Sequence, residues 1–338
     1  MIDWITAEIP CTHSPIPSGR VIIIDEHGAE EVTIVKFKQV EGSYSKKISV
    51  RSSGSTLDGM ASHMRISGNP AKFLQGHNVF GGDDLSALMV AFTNQLFLLL
   101  DLEPPKADRE HIRAGEYNVS RIDINYGYSL KTRADVRSWL RAAEFKARSR
   151  SGRPQFKGTT LYFQKTSRRW SIKFYSKGDE IEAKGHQLPD QLINTDIPKF
   201  ADNLLRCELT LRSLELKELN CKRAKFLTQS KLKTLYSQYL GRIDMKAQMN
   251  LKDEVLENLP RHLQASYLLW KEGHSLILTM KETTFYRHRS QLLKYNIDIS
   301  LQPDSITKMD NVVPLIRVLE AEPVSTPSWA YKLGLVAC

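Results

Sequence analysis

Val119-Ser120-Arg121-Ile122-Asp123-Ile124-Asn125-Tyr126 alternates apolar and polar residues almost without a break. Successive side chains of a strand point to opposite faces, so Ile122, Ile124 and Tyr126 share one face and Arg121, Asp123 and Asn125 the other. Trp170–Tyr175 repeats the pattern, with Trp170, Ile172 and Phe174 opposed by Ser171, Lys173 and Tyr175. Leu205–Arg212 does so again: Leu205, Cys207, Leu209 and Leu211 stand against Arg206, Glu208, Thr210 and Arg212. If the three strands are neighbours, helices cover the apolar face. The other face then collects Asp123, Glu208, Tyr175, Lys173 and several arginines.

Working outward, Val21–Ile24, Val32–Phe37, Lys47–Val50 and Met64–Ser67 read as short strands between Gly- and Ser-bearing turns. Asp83–Leu102 reads as a helix, capped by Asp83 or Asp84 and followed by Pro104-Pro105. Arg133–Arg148 is a second helix with Val136, Trp139, Leu140 and Ala143 inward. Thr159–Gln164 and Trp170–Tyr175 suit a hairpin turning at Lys165–Arg169. From about Glu215 the pattern becomes helical. The expected architecture is α+β, an antiparallel sheet with flanking helices over residues 1–220, then a mostly helical C-terminal domain over 221–338.

The chain has 338 residues and a net charge of +10, from 48 Lys and Arg against 38 Asp and Glu. Such a balance favours a polyanionic partner, because released counterions drive basic proteins onto nucleic acid; a basic but otherwise ordinary enzyme is the plain alternative. Cys11, Cys207, Cys221 and Cys338 lack the spacing of a zinc ribbon, and no disulfide framework is expected. The N-terminus is unlike a signal peptide, and the most apolar window, Leu96–Leu102, is too short to cross a bilayer. A soluble, cytoplasmic protein is the expectation.

A half-exposed antiparallel sheet alternates in this way whether or not its polar face does chemistry. Two carboxylates, a tyrosine and a lysine are nevertheless what metal-assisted phosphoryl transfer requires. Carboxylates hold a hard cation such as Mg²⁺ or Mn²⁺; tyrosine attacks phosphorus, and lysine or arginine offsets charge. A phenol with a pKa of about 10 needs cationic neighbours to favour its phenolate. Tyr126, Tyr128 and Tyr162 rival Tyr175 for that part.

At these residues the sequence resembles the replication initiation proteins of filamentous phages, the gene II/gene X type. The resemblance starts at the opening Met1-Ile2-Asp3 and is carried by Asn69-Pro70-Ala71-Lys72-Phe73-Leu74-Gln75-Gly76-His77-Asn78-Val79-Phe80-Gly81, by Ser120-Arg121-Ile122-Asp123, by Lys165-Thr166-Ser167-Arg168-Arg169 and by Asn311-Val312-Val313-Pro314-Leu315-Ile316-Arg317. It implies a nickase specific for one strand of phage origin DNA, which leaves a 3′-hydroxyl for the host polymerase, works with the host helicase, and later rejoins the displaced strand. The middle of the chain also resembles plasmid rolling-circle initiators, whose active face carries Arg-x-Asp, aromatic-Tyr-x-Lys and Arg-x-Glu strands. That likeness makes Tyr175 the nucleophile, flanked by Lys173 and Lys177, and Asp123 and Glu208 metal ligands, with Arg121 and Arg206 on DNA. A His-hydrophobic-His triplet is absent, which leaves His77 as the candidate third ligand.

Arg148, Arg150, Arg168 and Arg169 belong to basic segments that suit a phosphate backbone. Glu282–Tyr295 reads as a helix that presents Arg287 and Arg289, either as the reading helix of a helix-turn-helix or as an ordinary amphipathic helix. The rival to an enzyme is a non-catalytic origin-binding replication regulator. No P-loop, GxGxxG or RNP-type string argues for another class.

Overall fold

The computed structural model describes residues 1–149, 152–245, 248–250, 256, 258–295, 297–300 and 312–337. The strands of its large sheet are β1 (Ile2–His13), β2 (Lys38–Glu41), β3 (Lys47–Ser53), β4 (Ala61–Gly68), β5 (Asn118–Ser129), β6 (Gln155–Lys157), β7 (Thr160–Phe163), β8 (Trp170–Ser176) and β9 (Leu204–Arg212), while Arg20–Ile24 and Glu30–Val35 pair apart from it as a hairpin. Among the described residues these form one nine-stranded sheet in the order β2-β3-β4-β1-β5-β9-β8-β7-β6, antiparallel at each pairing. The three strands first read for their polar phasing are indeed neighbours. Lys173 lies opposite Glu208, and Glu208 opposite Asn125.

The N-terminal strand, which periodicity did not single out, lies at the centre between β4 and β5. Its alternation is broken near its start. Ile2 pairs with Ile124 and Trp4 with Asp123, so Asp3 is an extra residue in a β-bulge. The bulge brings Asp3 to the polar side, where its Oδ1 accepts from Asn69 Nδ2 at 2.8 Å and Asn78 Nδ2 at 2.7 Å.

The apolar face is covered by helices. α1 (Pro70–Gln75) is short; α2 (Leu85–Leu100) and α3 (Arg133–Lys146) follow, α4 (Lys177–Glu182) instead packs its Ile181 with Val79 and Phe80, and α5 (Gln229–Leu240) returns to the apolar face. Asp84 caps α2 by accepting from Ala87 N, and Thr132 with Asp135 forms a capping box on α3. Leu88, Met89, Phe92 and Leu96 of α2 share one core with Ile5, Ile122, Ile124 and Leu209; Val136, Trp139, Leu140 and Ala143 of α3 join it as expected. Trp139 packs on Phe174 with ring centroids 5.1 Å apart. Each such large apolar side chain contributes about 1.5–3 kcal/mol on burial.

This core does not stop at residue 220. Leu232, Leu235, Tyr236 and Tyr239 of α5 recur at helical spacing and face the sheet, and the cluster runs on through Ile243 to Met245. A separate small core forms from Leu259, from Leu263 and Tyr267 on α6 (Arg261–Lys271), and from Phe285 and Leu292 on α7 (Glu282–Leu292). Leu293, the next residue, is exposed. The chain then returns to the sheet: Val324 N donates to Gly127 O at 2.8 Å, and Ala330 and Leu335 pack with Val79 and Phe80. No helix among the described residues is long and apolar enough to cross a membrane.

Candidate active site and nucleic-acid interface

Cross-strand register sets the site. Asp123 on β5, Glu208 on β9 and Lys173 and Tyr175 on β8 share the polar face, and Asp123 and Glu208 are each 1 % exposed. Buried carboxylates need partners. Asp123 takes both from Arg121, whose Nε and Nη2 donate at 2.8 and 2.5 Å. Glu208 Oε1 pairs with Lys173 Nζ at 2.6 Å, and its Oε2 accepts from the Tyr175 hydroxyl at 3.4 Å. Burial pushes the Glu208 carboxyl up, Lys173 opposes this, and the nearby Asp3 and Asp123 add to the rise. For Lys173, burial would lower the pKa, but the charges of Glu208, Asp3 and Asp123 outweigh it and keep the ammonium protonated.

Tyr175 is 6 % exposed. Burial first, then Glu208, Glu180 and Asp3, push its phenol well above the ordinary value. In this arrangement the Tyr175 phenol is enclosed and faces Glu208. Tyr162 differs. It lies on β7 directly opposite Lys173, which puts it on the same face; it is half-buried, and Lys165 Nζ stands 5.6 Å from its ring centroid. Of the other rivals, Tyr126 donates to Asp83 at 3.0 Å, and the hydroxyls of Tyr128 and Tyr236 bond each other at 3.1 Å.

The string Asn69–Gly81 forms the wall of this face. Asn69 caps α1 and Pro70 occupies its first turn; Gly76 ends it at φ 80, where a Cβ would stand 2.7 Å from the Tyr44 ring. Asn78 follows and bridges Asp3 to Lys177, whose Nζ donates to Asn78 Oδ1 at 2.8 Å and to Glu180 Oε2 at 2.5 Å. Burial lowers Lys177 to about 8 against the pull of Glu180. Burial would raise Glu180, but Lys177 and Lys72 prevail and hold it at about 2.

Two expected roles meet a different geometry. His77 is fully buried, and its Nε2 bonds Leu335 O at 2.9 Å while Nδ1 accepts from Val79 N at 3.3 Å. Both ring nitrogens are thus engaged in holding the loop and the C-terminal segment, and none is offered to a metal. Arg206 is 2 % exposed and bonds Asn125 Oδ1 and the carbonyls of Asn78 and Val79. These bonds tie its guanidinium to the Asn69–Gly81 wall. Sequence reading missed Asp3, Asn78 and Glu180 as members of the site. Asp3 and Asn78 lie within the strings that carried the family resemblance, which was the signal available for them.

The donor set can be tested against a cation. Asp3, Asp123 and Glu208 offer the hard oxygens that suit Mg²⁺ or Mn²⁺, so the donor chemistry fits. Among the described residues, however, no three His, Cys, Asp or Glu side chains are arranged to hold a metal ion. A cation on Asp123 competes with Arg121, and one on Glu208 with Lys173.

Basic side chains rim the face. Arg121 lies over the Trp4 ring at 5.1 Å, and Arg212 donates to Ser171 Oγ at 3.2 Å. On outer strands Arg65 stands between Glu8 and Arg51 in register, which extends the polar face toward β3. Arg148, Arg168 and Arg287 are exposed; Arg169 bonds Glu215 at 3.1 Å, and Arg289 is held by Asp298 through two bonds of 2.7 and 2.6 Å. Arg150 lies outside the described residues.

Two family models match the chain. That of the N-terminal part of the phage replication-associated protein, the gene II protein, covers residues 1–256, and that of its C-terminal part covers residues 251–336. The replication-associated gene II protein of Enterobacteria phage I2-2 is 45% identical over 330 residues, 97% of this chain and 96% of the relative. Proteins of the same name from Enterobacteria phages M13 and fd are 27% and 26% identical, each over 79% of this chain and 76% of the relative.

Proposed function

This chain belongs to the family of phage replication-associated gene II proteins, and we propose that it serves phage replication by cutting one strand of origin DNA through a tyrosine and later rejoining the displaced strand. The observation that carries this reading is the register of β5, β9, β8 and β7. It gathers Asp123, Glu208, Lys173, Tyr175 and Tyr162 on one face of the central sheet, beside a basic rim.

In this reading the half-buried Tyr162 is the nucleophile, in place of the Tyr175 expected from sequence. Its oxygen bonds to phosphorus as the bond from phosphorus to the 3′ oxygen breaks. The product is a 5′-phosphotyrosine and a free 3′-hydroxyl, with the phenolic proton balanced by the proton gained at the 3′ oxygen. Lys173, opposite Tyr162, favours the phenolate and offsets charge on the phosphate. Tyr175 positions Glu208. Asp123 and Glu208 would hold Mg²⁺ or Mn²⁺, which supplies positive charge for the phosphate oxygens. Arg121, Arg148 and Arg168 grip the backbone. The phosphotyrosine ester keeps the phosphodiester energy, so a 3′-hydroxyl that attacks its phosphorus rejoins the strand as the bond to the tyrosine oxygen breaks and the phenol regains a proton.

The test is a supercoiled plasmid carrying the cognate origin, incubated with the protein and Mg²⁺ or Mn²⁺, with and without chelator. Metal-dependent cutting of one strand, with a covalent adduct mapped to Tyr162, is the expected result. Tight origin binding with no cutting overturns it in favour of a replication regulator.

A further inference from the structure

The polar face carries on past the end of β9. Arg212, its last residue, lies opposite Arg121. The short helix Ser213–Glu218 follows, and Asn220, in the left-handed region at φ 54, turns the chain back. Its N donates to Lys217 O at 3.1 Å and Cys221 N to Leu216 O at 2.8 Å, which closes the helix end. The returning segment runs beside the start of β5. Val119 N donates to Lys222 O at 2.8 Å, Ala224 N to Tyr117 O at 3.0 Å and Lys225 N to Gly115 O at 3.0 Å. Gly115 permits the close approach, since a Cβ there would stand 2.6 Å from Lys225 N. The backbone of residues 222–225 is thus fixed against the sheet.

Register places this segment on the candidate face. Thr6 and Glu8, two apart on β1, share a face. Thr6 lies opposite Arg121 and Glu8 opposite Asn118, with a bulge at Ser120 between them. Asn118 in turn lies opposite Arg223. Arg223 therefore stands on the same side as Arg121 and Asp123, at the end of a row that runs through Glu8 and Arg65 to Arg51.

The charge here is one-sided. Residues 217–233 hold six Lys and Arg against one acid, Glu218, and so half of the chain's net charge of +10. Lys217, Lys222, Arg223 and Lys231 line one basin of about 640 Å³, with no carboxylate among its lining residues. Of the acids nearby, Glu116 is taken by Lys225 at 2.8 Å, and Glu218 lies 4.0 Å from Arg169. Such a concentration of cations suits a polyanion. Phe226 is the one aromatic ring in the lining. Single-strand platforms stack successive bases on several rings, so one ring beside four cations favours the phosphates of a duplex.

We propose that this basin seats the phosphate backbone of duplex DNA on one side of the cut. Asn118 is five residues from Asp123 along β5, roughly 15 Å at about 3.3 Å per residue. That is the rise of about four or five base pairs. The position of the cut rests on the strand-cutting reading; the test itself reads binding.

Duplexes of the origin from the replicon that encodes the chain are shortened base pair by base pair from either end. Affinity for the full chain is read by fluorescence anisotropy across a range of salt. Lys217→Ala, Lys222→Ala, Arg223→Ala and Lys231→Ala are combined in one variant, and Lys222→Gln with Lys231→Gln in a milder second; thermal melting confirms that each is folded. On the full-length duplex the slope of log affinity against log salt is expected to fall by about 3 to 4 in the first and about 2 in the second, close to 0.9 per phosphate lost. Shortening one arm to within about four base pairs of the cut weakens wild type and leaves the four-alanine variant unmoved, whereas shortening the other arm weakens both alike. An unchanged slope overturns the proposal, as does a variant that responds to both arms as wild type does. Loss of single-strand binding with duplex binding intact overturns it in favour of a single strand. Cutting is mapped in parallel on the supercoiled plasmid. Cutting with an unchanged slope sinks the basin alone, whereas a reduced slope and one silent arm in a chain that cuts nothing sink the nicking reading alone.

Discussion

Replacing Tyr175 by Phe separates a positioning role from a nucleophilic one. The ring stays where it is, on a face shared with Lys173. What is lost is one bond from the hydroxyl to Glu208 Oε2, 3.4 Å long and beyond the usual range for O–H···O. The cost in unfolding free energy is about 0.5–1 kcal/mol, the lower part of the range for a buried hydrogen bond. Glu208 keeps Lys173 at 2.6 Å, so the carboxylate shifts only slightly. A misalignment of about 1.4 kcal/mol in the transition state slows cutting tenfold, and that is the upper limit expected for Tyr175→Phe. Tyr162→Phe removes the attacking oxygen itself, and cutting falls by about a thousandfold or more. The assay is cutting of supercoiled origin plasmid by each variant, with the covalent adduct mapped by mass spectrometry and stability read by urea unfolding. An adduct on Tyr175, or full cutting by Tyr162→Phe beside none by Tyr175→Phe, refutes the reasoning.

Asp123→Asn and Glu208→Gln are expected to abolish metal-stimulated cutting while origin affinity stays within about threefold, because both side chains lie beneath the rim that meets phosphate; a gel-shift titration beside the plasmid assay checks this. Burial lowers His77 to about 4, below the value of about 6.5 for the unfolded chain. Since the unfolded chain takes the proton first, this contribution to stability is full above pH 6.5 and is lost as pH falls toward 4, on the order of 2–3 kcal/mol. His77→Gln should flatten that slope in urea unfolding measured at pH 7 and pH 5. Arg168→Ala should weaken binding to all DNA sequences alike and reduce the slope of log affinity against log salt by about 1; an unchanged slope places Arg168 off the interface.

The alternation in β5, β8 and β9 was legible because a period of two survives in each, from Ile122 to Tyr126, from Trp170 to Tyr175 and from Leu205 to Arg212. β1 was not, because the bulge at Asp3 shifts the phase between Ile2 and Ile5 and hides the run Ile5, Ala7, Ile9, Cys11. Arg206 shows a second limit. Its position on the polar face followed from spacing, but nothing in its own strand says that the Asn69–Gly81 wall buries it there. Tyr162 and Tyr175 show a third: strand phase puts both on one face, and only packing decides that Tyr175 is enclosed and Tyr162 half-open.

The central place of β1 also sets a schedule for synthesis. β4 emerges early enough to cover one edge of β1, but the other edge waits for β5, and β5 waits for β9 at Leu204–Arg212. At ribosomal rates of ~5–20 residues per second, the chain spends roughly 10 to 40 s before the last of these strands is out. Until β5 is made the first residues hold an unpaired edge, and from then until β9 the edge of β5 is open; folding depends on contacts far apart in the chain, the kind that form slowly. Asp3 and Glu208 come together only at its close. A nascent chain interrupted before residue 208 therefore carries none of the assembled centre, which arrives late in translation and in a single step.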